Sequence, residues 1–259
     1  MFCFLIVLFV LTSCGKKETA MEILQGTIGS IDSIETIYYK QDMWRSSARN
    51  VSDTLFRYRE MYFERLRSDS IVGNKGHWYM YADDKVKVSF EDIFDGERLI
   101  RKNNLDSAAR VYDLNKYPDF RKEHFWSHNT LYGMQHEFRF MLDNADSYFF
   151  ERLNDTIYND KSCFQVLVRL ENKMTMPGFA IKLEDYEGLI STNLYVIDKE
   201  TFYPLRMKGE NYLSGSLEEK SFIDQKYHDI KFNLEIDSNQ FDTSHNAISG
   251  YKIQEMKAE

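Results

Sequence analysis

Residues 86–100 read VKVSFEDIFDGERLI, and the fold class follows from this stretch. Val86, Val88 and Phe90 alternate with Lys87, Ser89 and Glu91, so a strand here wets one face and buries the other. Asp95-Gly96 is a tight-turn pair. It should fold the segment ending in Phe94 back onto Leu99 and Ile100 as an antiparallel hairpin.

The same pattern extends in both directions. Segments 36–44, 54–66 and 78–81 are rich in aromatic and β-branched residues. Turn clusters such as Val72-Gly73-Asn74-Lys75-Gly76 and Ala82-Asp83-Asp84 separate them. Further on, 148–157 and 162–170 flank Asn159-Asp160-Lys161, with Phe164, Val166, Val168 and Leu170 on one face. Segments 194–197 and 202–207 flank Asp198-Lys199-Glu200-Thr201 as another hairpin. Ile230, Phe232, Leu234 and Ile236 alternate with Lys231, Asn233 and Glu235, which predicts a last strand over 230–236 and a loose tail from about 241 to 259.

Two stretches break the alternation. Ile23, Ile28, Ile31 and Ile34 lie near helical spacing within 19–35, although Gly26 and Gly29 each cost about 1 kcal/mol against alanine. From Pro118 to Ala145, the residues Leu131, Met134, Phe138, Met141 and Ala145 recur at intervals of three and four, one apolar helical stripe. Ser127 or Asn129 could cap a second helix within that section. No repeat or low-complexity block divides the chain, so a single domain over 20–240 is expected.

The N-terminus reads differently. Phe2 to Leu11 is an apolar run whose helical length is about 15 Å, half of a bilayer core of about 30 Å. It is too short to span and fits the apolar part of a secretory signal peptide. Leu11-Thr12-Ser13-Cys14 resembles the bacterial lipobox. That resemblance implies a signal peptide over 1–13, cleavage before Cys14, a lipid-modified Cys14 (diacylglyceryl on sulfur, acyl on the new amine) and a polar tether over 14–19. Two or three acyl chains give stable anchoring where one is marginal. No Lys or Arg precedes the run, which fits a true start a few codons upstream.

Composition narrows the function classes. With 43% hydrophobic and 15% aromatic residues, the chain can build a core. A net charge of −8 without a basic cluster in the sequence argues against nucleic acid and against electrostatic docking on anionic lipid. Of three cysteines, Cys3 leaves with the signal peptide and Cys14 carries lipid, so Cys163 remains alone and no intramolecular disulfide forms.

The order of helix, antiparallel strands, helical insertion and further hairpins resembles the LolA, LolB and RseB group of cell-envelope proteins. More closely, it is similar to the strand-rich region ahead of the thioredoxin domain in some TlpA-like envelope lipoproteins. The phrases that carry the likeness are Phe94-Asp95-Gly96-Glu97, Thr130-Leu131-Tyr132-Gly133-Met134, Asp155-Thr156, Lys161-Ser162-Cys163-Phe164, and Tyr195-Val196-Ile197-Asp198-Lys199-Glu200-Thr201 with Tyr203-Pro204. The resemblance implies an α+β fold: a strongly curved antiparallel half-barrel with helices on its concave side, enclosing an apolar cavity. No thioredoxin domain follows, so reductase activity does not carry over, and no carrier residue of the group matches a position here.

Site candidates follow from chemistry. His124 and His128 stand four apart with His136 beyond, a spacing that can share a metal, but the H-E-x-x-H order is absent and partly buried structural histidines account for them better. We therefore expect no metal and no cofactor. Asp83-Asp84 and Glu218-Glu219 read as solvated turns rather than acid/base pairs. There is no nucleophile elbow or phosphate loop. Phe125, Trp126, Leu131, Met134, Phe138 and Met141 form a deformable apolar surface that either fills the core or walls a cavity for an acyl chain. The expectation is a non-enzymatic outer-membrane lipoprotein, facing the periplasm, that binds or senses a lipid or acyl chain. The alternative is a structural subunit with a filled interior that docks an envelope protein.

Overall fold

The computed structural model describes residues 17–46, 53–69, 72–82, 85–116, 131–176 and 182–255. Cys14, the signal segment, Asp83-Asp84 and residues 117–130, which hold Phe125, Trp126, His124 and His128, lie outside the described residues.

The strands form one open sheet. In chain order they are β1 (Thr36–Ser46), β2 (Thr54–Arg65), β3 (Asn74–Tyr81), β4 (Val88–Phe94), β5 (Arg98–Asn103), β6 (Ala108–Asp113), β7 (Tyr148–Arg152), β8 (Thr156–Tyr158), β9 (Lys161–Met176), β10 (Lys182–Asp198), β11 (Pro204–Leu213), β12 (Ser216–Phe232) and β13 (Lys252–Glu255). Their spatial order is β13-β6-β5-β4-β3-β2-β1-β12-β11-β10-β9-β7, with β8 on β9. Every pairing is antiparallel except β13 on β6. Two meanders, β1–β6 and β7–β12, thus meet at β1–β12, and the sheet does not close. The hairpin expected at Asp95-Gly96 is present, with Phe94 opposite Leu99 and Gly96 at φ +107°.

Two helices, α1 (Ala20–Asp32) and α2 (Leu131–Asp143), lie on the concave side. Their buried residues share one core with Tyr39, Met61, Phe63, Trp78, Phe94, Val166, Val168, Tyr195 and Tyr227 of the sheet. α1 begins with a capping box: the Glu22 amide donates to Thr19 Oγ1 (3.2 Å), and the Thr19 amide donates to the Glu22 carboxylate (2.7 Å). Ile23, Leu24, Ile28 and Ile31 then face inward, each contributing roughly 1.5–3 kcal/mol of burial. Gly26, which a propensity reading counts as a weakness, has a packing reason. A Cβ there would meet the Phe202 ring at 2.6 Å.

At the far end of α1, Arg65 of β2 donates to the carbonyls of Ile31 (2.6 Å) and Ile34 (3.0 Å) and lies over the Tyr132 ring at 4.4 Å. Gln135 of α2 donates to the Ile28 carbonyl (3.2 Å), and Arg139 to Asp32 (2.5 Å). The helices are therefore fastened to each other and to β2.

Two expectations at the C-terminus need correction. The last long strand ends at Phe232 although the alternation runs to Ile236. Asn233 takes a left-handed φ of +50°, its side chain accepts from the Glu35 amide (2.9 Å), and the chain peels away. The tail expected to be loose is instead packed. Residues Ser238–Phe241 and His245–Ile248 form 3-10 turns, Ile248 joins Ile93, Ile100 and Ala109 in a second cluster on the convex face, and β13 covers the β6 edge.

Candidate functional site

Register fixes which side chains share the concave face. Across β1 and β2, Tyr39 lies opposite Met61, Gln41 opposite Arg59 and Met43 opposite Arg57. Across β2 and β3, Met61 lies opposite Trp78 and Arg59 opposite Met80. The rows continue from Trp78 to Asp92 and Met80 to Phe90, then to Arg101 and Asn103. Because strand side chains alternate between faces, all of these point the same way as Phe63 and Phe94, into the concavity.

The face is divided. Under α2 it is solid: Phe138 is fully buried and meets the Tyr195 ring edge-on at 4.9 Å, and Met134 and Met141 are each 6% exposed. These are three of the six apolar residues expected to wall a cavity, and they pack into the core. Leu131 opens α2. His136, the described member of the histidine set, is exposed on the same helix. Among the described residues no group of three His, Cys, Asp or Glu side chains could hold a metal, and no helix is long and apolar enough to cross a membrane.

Over β3–β6 the face is open. A pocket of about 300 Å³ lies there, floored by Trp78, Met80 and Phe90 and rimmed by Asp92, Arg101, Asn103 and Gln254. That volume is at the lower end for a ligand site. Arg101 Nε donates to Asp92 Oδ2 at 3.1 Å, yet Asp92 has its pKa raised to about 6, because burial outweighs the attraction of Arg101 and Arg59. Beside this pocket, Gln41 Nε2 and the Tyr227 hydroxyl both donate to Gln225 Oε1, at 2.9 Å and 2.7 Å, forming a polar floor between the two meanders.

One acid faces the interior from α2. Burial raises the pKa of Glu137 to about 7, and burial first, with the Glu137 charge adding to it, raises those of Tyr195, Tyr148 and Tyr227. Glu137 keeps partial exposure. Sequence reasoning missed Glu137, the open pocket and the arginines of β2. The available signal was period 2: Arg57 and Arg59 continue the core-facing series Met61 and Phe63.

The curled open sheet with helices on its inner side is the LolA-like arrangement expected from the sequence. No family model matches the chain, and no curated protein is similar to it at a meaningful level. Solved structures of similar course include a putative outer membrane lipoprotein-sorting protein domain from Vibrio parahaemolyticus, at 12% identity and a TM-score of 0.37, covering 88% of this chain and 97% of that one. Lipoprotein LppX of Mycobacterium tuberculosis matches at 7% identity and a TM-score of 0.45, covering 84% and 98%. A LolA superfamily protein from Nitrosomonas europaea matches at 9% and 0.36, covering 88% and 99%. Likeness at this level describes the course of the chain and not what it binds.

Proposed function

We propose that the chain is a lipoprotein of the bacterial cell envelope, anchored through Cys14 in the inner leaflet of the outer membrane, whose concave face binds an apolar or amphiphilic ligand without transforming it. The observation that carries this reading is the division of the concave face: helices fill one part, while the part over β3–β6 keeps an open pocket floored by Trp78, Met80 and Phe90. A lipid tail fits such a floor because its binding needs contact area and no directional partner. Of the apolar residues expected to wall a cavity, Met134, Phe138 and Met141 would join this wall if α2 shifted to admit a longer chain.

Native mass spectrometry of the purified protein tests the reading. Retained or acquired lipid is the expected result, and a protein that never holds one sinks it. Anchoring is tested separately, since Cys14→Ala should move the protein from the membrane to the soluble fraction.

A second reading, a docking subunit for an envelope protein, draws on the solid packing of Phe138, Met134 and Met141. Crosslinking in intact envelopes that captures one dominant protein partner, together with no lipid in the mass spectrum, would select it.

A further inference from the structure

The open part of the concave face carries charge as well as apolar surface. We propose that Arg45, Arg57 and Arg59 form a receptor for the phosphate head of an amphiphile whose tail lies along Trp78, Met80 and Phe90. This rests on the ligand-binding reading above and adds the chemistry of the ligand.

The three guanidinium groups come from neighbouring strands and face one region. Arg57 lies opposite Met43 and Arg59 opposite Gln41, while Arg45 is two residues beyond Met43 on the same face. They are close enough for charge to act between them: after burial, Arg45 lowers the pKa of Arg57, and Arg57 and Arg45 lower that of Arg59. Among the described residues none of the three has an ion pair within salt-bridge distance. Asp92, the carboxylate whose charge favours the Arg59 guanidinium, is already hydrogen-bonded to Arg101.

Burial makes this arrangement costly unless an anion completes it. Arg59 is 8% exposed, and burial with its basic neighbours brings its pKa down to about 10. Arg45 Nε is buried with no hydrogen-bond partner. Buried guanidinium groups are normally paired and hydrogen-bonded, and here a buried Arg59 sits with two half-buried arginines in a protein whose net charge is −8. Planar guanidinium forks match the oxygens of a phosphate.

The apolar floor begins next to the charge. Arg59 lies opposite Met80, which lies opposite Phe90, so a head held by the arginines would lay its tail along the pocket. A free anion would use the arginines and leave that floor empty.

Titration calorimetry on the full-length protein with decyl phosphate, decanol and inorganic phosphate tests the proposal. Decyl phosphate should bind at least about tenfold more tightly than decanol, a difference of about 1.4 kcal/mol, and more tightly than inorganic phosphate. Replacing two arginines together, Arg57→Met with Arg59→Met, should bring the decyl phosphate to decanol ratio toward one. Arg57→Met alone, at the more exposed position, should lower the ratio severalfold and serves if the double variant does not fold.

Equal affinity of the unmodified protein for decyl phosphate and decanol overturns the receptor and leaves the apolar-ligand reading standing. Absence of binding by either overturns both. Inorganic phosphate binding as tightly as decyl phosphate overturns the amphiphile assignment in favour of a free anion.

Discussion

Strand β2 passes through both parts of the concave face, and its two halves treat the same side-chain chemistry in opposite ways. In the half under the helices, Met61 and Phe63 are 1% exposed, and Arg65 ends on the Ile31 carbonyl of α1, the Ile34 carbonyl just past it and an aromatic ring. In the other half, Arg57 and Arg59 point to the same side with no carboxylate to pair with among the described residues. Where the helices cover the sheet, the packing is solid, even though the buried Tyr195 and Tyr203 hydroxyls find no hydrogen-bond partner. Where they do not, desolvated charge and an apolar floor lie open side by side, an arrangement that stability alone would not favour.

The comparison breaks first at Phe138. Truncating a fully buried aromatic ring leaves a cavity that neighbours fill only in part, so Phe138→Ala should cost about 3–5 kcal/mol, read from the shift of the urea midpoint at unchanged slope. A cost below about 1 kcal/mol would mean that α2 is not part of a solid core, and the contrast between the two halves would disappear.

Glu137 sharpens the boundary between them. Its pKa is 4.5 in the unfolded reference and about 7 in the folded protein. The folded state therefore binds the proton more tightly, and this contribution to stability is full below about pH 4.5 and lost as pH rises to about 7. Asp92 acts in the same sense, from 3.8 to about 6. Salt-bridged carboxylates such as Asp155, Asp198 and Asp229, whose pKa values are lowered, act in the opposite sense, so the readout is the difference between protein and variant. Glu137→Gln should gain on the order of 2 kcal/mol relative to the unmodified protein between pH 5 and pH 8. Parallel urea curves showing no such gain would place the carboxyl in free solvent.

The arginines invert the usual outcome of a core substitution. Arg59→Met removes a buried charge that lacks a partner and keeps the apolar stem, so the protein without ligand should be stabilised by about 1 kcal/mol. A loss of 2 kcal/mol or more would show that Arg59 holds the sheet together as Arg65 does, and β2 would no longer have two different halves.

The sheet was legible because alternation is a local signal. The Asp95-Gly96 turn and the series Phe164, Val166, Val168 and Leu170 each state their element within a few residues, whereas Val88-Ser89-Phe90 states a strand but misstates its buried face: Ser89 is buried at 7% exposure and Phe90 is 39% exposed, because Phe90 looks onto the open pocket. α1 and α2 were legible from their isoleucine and methionine spacings. A capping box written as Thr19-x-x-Glu22 could have placed the start of α1 more sharply. β13 was not legible, since Ile253 is its one apolar residue and the strand it joins is far away in sequence, with Gln254 paired to Arg110 at a separation of 144 positions. The arginine cluster was hidden because β2 carries aromatics on both faces. Phe56, Tyr58 and Tyr62 face outward while Met61 and Phe63 face inward, so composition alone does not say which side Arg57 and Arg59 join. The period-2 series through Met61 and Phe63 points them inward, and their register against Gln41 and Met80 fixes it.

The smallest effect tests whether the pocket is open in solution, by placing one substitution in each half. Met134 packs into the core at 6% exposure, and Met134→Ala should cost about 2–5 kcal/mol. Met80 is only partly buried and borders empty space on the pocket floor, so Met80→Ala loses fewer contacts and leaves a hollow that water already reaches. Its cost should stay below about 1 kcal/mol. If the two methionines prove equally expensive to truncate, another part of the chain covers the pocket, and no ligand reaches that floor without displacing it.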